Sequence, residues 1–335
     1  SKGTEKMIAA LEGMAPTDDP DECAGQMRKI LRSAVLPYST LIDEPEHLMR
    51  VSPGNEAQNG ALWTRFTVQY NLYAGSIVAL GNNEQRQQLV ASQNDGALGC
   101  FAFTEKGTGV LSGAGVETTA TFDSTTNEFV IQSPNATSSK NWISQGMYAE
   151  NAVILADLII DGDSKGPHLF WAHIADAAAS GGKSTRGRTD GPLARPTPVA
   201  GVTIGTNPEK TCMHGLDNAT VLFEQFRVPG SALLSRFCSL TAEGKGKAKT
   251  YTYATNLPNN CKRMLDLLIF RLLTGRIVLS EATMSYSVSR LRRSFMYTKE
   301  RELWRGRKDK GQMMADMPLI KTFFRDYGRT SYIIQ

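Results

Sequence analysis

Apolar and polar positions change their period twice along the chain. Over residues 1–95 they recur at helical spacing. Residues 5–11 form a short amphipathic stretch, 15–20 a turn with a capping aspartate, and 20–36 a second helical run. A Pro/Gly/Asn-rich loop at 51–59 precedes apolar residues at helical spacing over 66–80. Gly81-Asn82-Asn83 stops that run, and 84–90 opens a further short helix. From Gly96 to about Pro229 the period shortens. Residues 152–160, 169–174 and 220–226 are β-branched or aromatic runs bounded by Gly, Asp and Pro, and 116–122 with 128–132 flank a turn at 123–127 as a hairpin would. Residues 178–198, poor in apolar side chains and rich in Gly, Pro, Arg and Ser, read as a surface loop inserted between strands. Beyond Leu233 helical spacing returns, with a long amphipathic run at 264–289 and another helix at 313–324. Three regions are expected: helical 1–95, strand-rich 96–235 and helical 236–335.

Composition narrows the classes. A chain of 335 residues, 41% of them apolar, can bury one large core and divide into two or three domains. The net charge of +4 is compatible with an anionic ligand and requires none. Five cysteines, odd in number and without Cys-x-x-Cys spacing, read as reduced thiols and not as a disulfide frame or zinc site. His168 and His173 lie five apart on a predicted strand, where alternation sends them to opposite faces, so no metal pair is expected. The N-terminus lacks a secretory pattern, and no apolar run approaches the roughly 18 residues that span a bilayer. The absent initiator Met and the apolar end Ser-Tyr-Ile-Ile-Gln read as a fragment without a peroxisomal Ser-Lys-Leu address. Arg290, Arg292, Arg293, Lys299, Arg301, Arg305, Arg307, Lys308 and Lys310 outnumber the nearby acids, but aromatics are not interleaved regularly among them. That cluster reads as a solvated helix end and loop, and nucleic acid is not an expected partner.

The chemistry concentrates between Gly99 and Trp142. GCFAFTEKGTG delivers a hydroxyl and a carboxylate from a strand end into a glycine turn, and SSKNWIS follows the hairpin with a large flat ring. Such an arrangement can hold a planar ligand between an aromatic wall and a hydroxyl donor. An ordinary β-sandwich with a core tryptophan accounts for the same pattern.

The order of these segments, followed by GVTIG at 201–205 and GLDNATVLFEQFRVPGSALLSRF at 215–237, closely resembles the acyl-CoA oxidases, the oxygen-using branch of the acyl-CoA dehydrogenase flavoprotein superfamily. The resemblance covers roughly residues 66–295, with a shorter connection in the oxidases where this chain has 178–198. It implies an α+β multidomain fold: an N-terminal helical domain, a central antiparallel β-barrel or sandwich, and a C-terminal helical bundle, here incomplete. It also implies FAD as cofactor, and oxidation of fatty acyl-CoA to trans-2-enoyl-CoA in β-oxidation. The implied electron acceptor is molecular oxygen, or an electron-transfer flavoprotein in the dehydrogenase branch. A homodimer sharing FAD across its interface is implied too, in the peroxisome or, alternatively, the mitochondrion.

Position by position, Thr104 resembles the threonine whose hydroxyl and backbone contact the flavin, and Phe103 the residue before it, which meets the ring through its backbone. Trp142 resembles the tryptophan flanking the isoalloxazine. Ser144 stands where many oxidases have glycine and the dehydrogenases a hydroxyl residue. Arg292, Ser294 and Phe295 resemble an R-x-T-F element that reaches FAD of the neighbouring subunit, where a planar guanidinium suits pyrophosphate. A second register, Tyr286-Ser287-x-Ser289-Arg290, promotes Arg290 instead. Glu105 is expected to brace the glycine turn. The oxidases' catalytic glutamate lies in an F-E-G context that the resemblance places beyond Gln335. The earlier position used by some dehydrogenases falls on Ile269, with Asp266 nearby as a helix-start residue. No general base is therefore assigned, and a non-catalytic binding or scaffold relative stays open.

Overall fold

The computed structural model describes residues 14–15, 17–46, 48, 59–108, 115–177, 195–243, 250–259, 261–305 and 311–334. The stretch 5–11, most of the loops 51–59 and 178–198, and Arg307, Lys308 and Lys310 lie outside these, as does the side chain of Ile269. The chain forms two compact units, Ser1–Val278 and Leu279–Gln335.

The helices of the first unit begin where the sequence supplies caps. Helix α1 (Pro20–Arg32) has Asp19 as N-cap, accepting from the Asp21 and Glu22 amides, and proline at its first position. A short α2 (Tyr38–Asp43) follows. Helix α3 (Gly60–Thr67) runs into a π-helical segment, Val68–Ala74, and then α4 (Gly75–Leu80). Asn82 and Gln85 form a reciprocal capping box at the start of α5 (Asn83–Ser92). The Gln85 amide also donates to the carbonyls of Ser231 and Leu233, which ties these helices to the strands.

The main sheet contains β1 (Gly99–Ala102), β2 (Thr119–Asp123), β3 (Glu128–Gln132), β5 (Asn151–Ile160), β6 (Asp163–His173) and β11 (Phe226–Pro229). Strands β2 and β3 form the expected hairpin, closed by an Asp123 carboxylate that accepts from the amide and hydroxyl of Thr125. The sheet is antiparallel except where β5 pairs in parallel with β1 along its first half and with β2 along its second. A smaller antiparallel sheet orders β4 (Lys140–Ser144), β10 (Asn218–Phe223) and β9 (Val202–Thr206). One core joins the two sheets: Phe129, Ile131, Ile154 and Phe170 from the first, Ile143, Ala219 and Val221 from the second. Each large side chain buried there contributes about 1.5–3 kcal/mol. Two two-residue strands, β7 (Ala175–Asp176) and β8 (Thr197–Pro198), pair beside it. His168 is buried and His173 exposed on β6, as alternation requires. The five cysteines are free thiols.

Helices do not return directly after Leu233. Strands β12 (Cys238–Glu243) and β13 (Thr250–Thr255) form an antiparallel hairpin first, because Cys-Ser-Leu-Thr-Ala-Glu and Thr-Tyr-Thr-Tyr-Ala-Thr alternate with period two. Helix α6 (Met264–Glu300) then runs for 37 residues, past the expected end at 289. Strands β14 (Glu302–Arg305) and β15 (Gly311–Met313) pair, and α7 (Pro318–Ile334) starts later than expected, since Pro318 suits a first helical turn and interrupts a helix anywhere else. Among the described residues, no helix is long and apolar enough to cross a membrane.

Candidate functional site

The chain leaving β1 and the start of β4 cross beside one another. Thr104 and Asn141 are joined twice: the Asn141 amide donates to the Thr104 carbonyl at 2.9 Å, and the Thr104 hydroxyl donates to the Asn141 carbonyl at 2.6 Å. Beneath this crossing lies a buried ion pair that the sequence reading did not assign. Lys140 Nζ, fully buried, donates to Glu105 Oε1 at 2.8 Å and to the Leu155 carbonyl at 2.6 Å. Glu105 also accepts from the amides of Glu117 and Thr118 and from the Thr118 hydroxyl. Burial pushes its carboxyl up, but the Lys140 ammonium and these hydrogen bonds outweigh it and hold the group below the ordinary carboxylate range. Glu105 is thus a brace: its carbonyl accepts from the Thr108 amide in the glycine turn, and its carboxylate reaches across to the start of β2.

Trp142 follows at once. Its φ is +57°, a left-handed value rare for a bulky residue, and the β4–β10 register shifts beside it. The kink breaks the alternation: Lys140 faces the core, whereas Trp142 is 55% exposed. That exposure excludes the reading of Trp142 as a core residue. Ile143 returns to the interior and Ser144 is half-buried, so Trp142 and Ser144 lie on the outward side of β4 with Ile143 between them. Ser144 Oγ accepts from Asn218 Nδ2 at 3.0 Å. Phe103 stacks on Phe101 with ring centroids 5.2 Å apart. These four expected positions, Phe103, Thr104, Trp142 and Ser144, all belong to the crossing of β1 and β4 and its continuation.

Arg292, Ser294 and Phe295 lie on α6 in the second unit. Arg292 is exposed, the Ser294 hydroxyl donates back to the Arg290 carbonyl, and Phe295 meets Phe324 edge-on with centroids 5.1 Å apart. In the second register, Arg290 lies over the Tyr286 ring at 4.7 Å. Asp266 accepts from the amides of Arg263 and Lys262, which lowers its pKa and makes it a helix cap, not a base poised over a substrate. Within the first unit a cavity of about 260 Å³ opens between α2, the π-helical segment and the start of α6, lined by Leu41, Leu48, Tyr70, Val78 and Val278. The Tyr70 hydroxyl is buried without a hydrogen-bond partner among the described residues. Nothing in the sequence pattern marked that cavity, because the π-helical segment that shapes it carries ordinary helical spacing. Among the described residues, no group of His, Cys, Asp and Glu is arranged to hold a metal ion.

No family model matches the chain. Curated relatives do. Acyl-coenzyme A oxidase 2, peroxisomal, of Arabidopsis thaliana is 28% identical over 95% of this chain and 45% of its own length. The acyl-coenzyme A oxidase-like protein of Mus musculus is 33% identical over 53% of this chain and 26% of its own. Among solved structures, acyl-CoA oxidase 1 of Yarrowia lipolytica superposes with a TM-score of 0.67 at 22% identity, covering 94% of this chain and 42% of that one. Acyl-CoA oxidase-2 of Caenorhabditis elegans, bound with FAD, ascaroside-CoA and ATP, gives 0.67 at 20% identity, covering 94% and 45%. The fold is therefore that of the acyl-CoA oxidases and dehydrogenases. Within it, the curated proteins that the chain is similar to are acyl-CoA oxidases, and the match spans less than half of their length.

Proposed function

We propose that this chain carries the flavin- and acyl-CoA-binding part of an FAD-dependent acyl-CoA oxidase, acting on fatty acyl-CoA to give trans-2-enoyl-CoA. The observation that carries the reading is Trp142: a bulky residue held at a left-handed φ and turned outward at a bulge, the kind of strained placement that persists where a ligand needs it. The donor set fits a flavin. Trp142 supplies a flat wall, Ser144 a hydroxyl on the same side of β4, Thr104 a hydroxyl oxygen that gives its proton to Asn141 and is left to accept, and Phe103 the adjoining backbone. Separately, Arg292, with Ser294 and Phe295 on the same helix, offers an exposed fork suited to the pyrophosphate of a neighbouring subunit's FAD, as the resemblance implies. When bound, FAD supplies the hydride acceptor of the reaction. The protein's own part is to orient the two ligands and to keep water from the reacting atoms. The cavity beside the π-helical segment is apolar enough to take hydrocarbon.

Oxygen as the electron acceptor and a homodimer are part of the same proposal, and a peroxisomal setting is supported by the oxidase relatives, several of which are named peroxisomal. One observation favours a second reading for the chain as it stands. Asp266 is committed to capping α6, so binding without turnover is the alternative. Titration with FAD tests the first step: the purified chain should turn yellow after dialysis and lose tryptophan fluorescence, and Trp142→Ala should lose most of that quenching. A colourless, unquenched protein would overturn the proposal. Anaerobic addition of a fatty acyl-CoA then separates the readings, since bleaching of the visible flavin band reports reduction of the flavin by substrate and binding without bleaching reports the alternative.

A further inference from the structure

Ser144 is the end of a hydrogen-bond chain that begins at a lysine in the loop before β10. Lys210 Nζ donates to Asn218 Oδ1 at 2.7 Å, and also to the Leu216 carbonyl. Asn218 Nδ2 in turn donates to Ser144 Oγ at 3.0 Å. Asn218 opens β10 and pairs directly with Ser144 in the β4–β10 ladder, so the backbone register holds the last link in place. The order of donors is dictated by chemistry. An ammonium has three protons and no lone pair, so the amide must turn its oxygen to Lys210 and its NH₂ to Ser144. Ser144 must then accept at that contact, and its own proton is left over. Among the described residues Ser144 donates no hydrogen bond, and its half-buried hydroxyl lies on the outward side of β4 with Trp142. Without a donor-only group at the lysine position, the amide could flip and take the serine proton for itself.

We propose that Lys210 is a positioning residue which, through the amide of Asn218, fixes Ser144 as a hydroxyl donor toward a flavin lying against Trp142. The inference rests on the flavin reading given above and assigns a role to Lys210, which lies outside the quoted motifs, and to Asn218, which lies within one of them without an assigned role. Its consequence is directional: this end of the site presents a proton to an acceptor atom of the ligand, such as a flavin ring nitrogen or carbonyl, and discriminates against a donor there.

A double-mutant cycle on FAD affinity tests it, with dissociation constants from tryptophan quenching of the whole chain and the visible flavin spectrum as a second readout. Ser144→Ala should weaken FAD binding about fivefold, the usual size of one neutral hydrogen bond. Lys210→Met should weaken it by a comparable factor in the wild-type background and hardly at all in the Ser144→Ala background, because the hydroxyl it orients is gone. Lys210→Arg, which keeps a donor-only cation, should restore most of the affinity. Near-ultraviolet circular dichroism confirms that each variant is folded. If Lys210→Met weakens FAD binding equally in both backgrounds, the lysine is merely structural and the relay is overturned. If the wild-type chain fails to bind FAD at all, the flavin reading falls first and the relay with it. Binding by wild type with additive effects sinks the relay alone.

Discussion

Lys140 and Glu105 occupy a position from which neither can be removed alone. Together they satisfy groups from the end of β1, the start of β2, β4 and β5, and both are buried. Lys140→Met leaves a buried carboxylate without its counter-charge and should cost about 3–5 kcal/mol, read as a shift of the urea midpoint. Glu105 also gives a pH signature. Its folded pKa lies below the ordinary value of 4.5, so under acid the unfolded chain binds the proton first. The stability it contributes is present above the unfolded pKa and is lost as pH falls through the folded one. Glu105→Gln should therefore flatten the acid limb of the stability profile as pH falls through and below the ordinary carboxylate range; an unchanged slope would show that other carboxylates carry it. Trp142 behaves in the opposite way. A left-handed φ costs a bulky residue about 1–2 kcal/mol, and glycine is free of that cost but loses about 0.5–1 kcal/mol in chain entropy. Since its ring is mostly exposed, Trp142→Gly should leave stability within about 1 kcal/mol of wild type while weakening FAD binding at least fivefold, about what is expected for losing an aromatic contact. A large loss of stability would mean that the ring is held for packing, not for a ligand.

Helices and hairpins with their own local signals are legible in the sequence. Asp19-Pro20 and Asn82 with Gln85 announce helix starts, and the β2–β3 hairpin shows in its alternation and in Asp123. Other features escape a reading by apolar runs alone, or depend on tertiary neighbours. The Asp161-Gly162 pair, with φ of +52° and +85°, closes β5 onto β6 and extends β6 back to Asp163, six residues before the aromatic run that marks it in sequence. The β12–β13 hairpin does carry period-two alternation, but its runs are short and contain few aliphatic residues, so the long helix that follows dominates the apolar pattern there. The site divides the same way. Thr104 and Trp142 can be picked out by motif, whereas Lys140, Lys210 and Asn218 acquire their roles only when distant strands meet. Gly99 shows how exacting such a meeting is. A Cβ there would run into the ring of Tyr73 on the π-helical segment, and the Tyr73 hydroxyl accepts from Trp171 Nε1 at 2.9 Å, which limits how far the ring can retreat. Gly99→Ala should cost about 1–3 kcal/mol through overpacking, and more if the ring cannot move, as thermal unfolding would show.

At the scale of the whole molecule the two units differ in what holds them. The buried apolar residues described in the chain end at Val278, and among the described residues of Leu279–Gln335 only Thr298 is buried. Leu319 is 76% exposed, and Tyr297, Phe323 and Met296 are about half exposed, so the second unit relies on edge contacts such as Phe295 with Phe324. Backbone hydrogen bonds without a buried face beneath them open locally at little free-energy cost, whereas those over a core open only with the whole domain. Amide exchange should therefore fall into two classes. The amides of β5, whose side chains are buried on both faces of the main sheet, should exchange at the rate set by global unfolding. Those of α7 should exchange many orders of magnitude faster, despite equally regular helical hydrogen bonds. The sharpest expectation concerns α6, which is one uninterrupted helix crossing from the first unit to the second. Its opening turns bury Met264, Leu265 and Leu268, and protection should drop steeply along the same helix near Val278 and Leu279. Exchange measured by mass spectrometry on overlapping peptides from 261–300 would show that step. Uniform protection along α6, or protection of α7 within about tenfold of β5, would mean that the second unit is held by contacts beyond its own described residues, and that its stability is a property of a larger assembly and not of the fold of this chain.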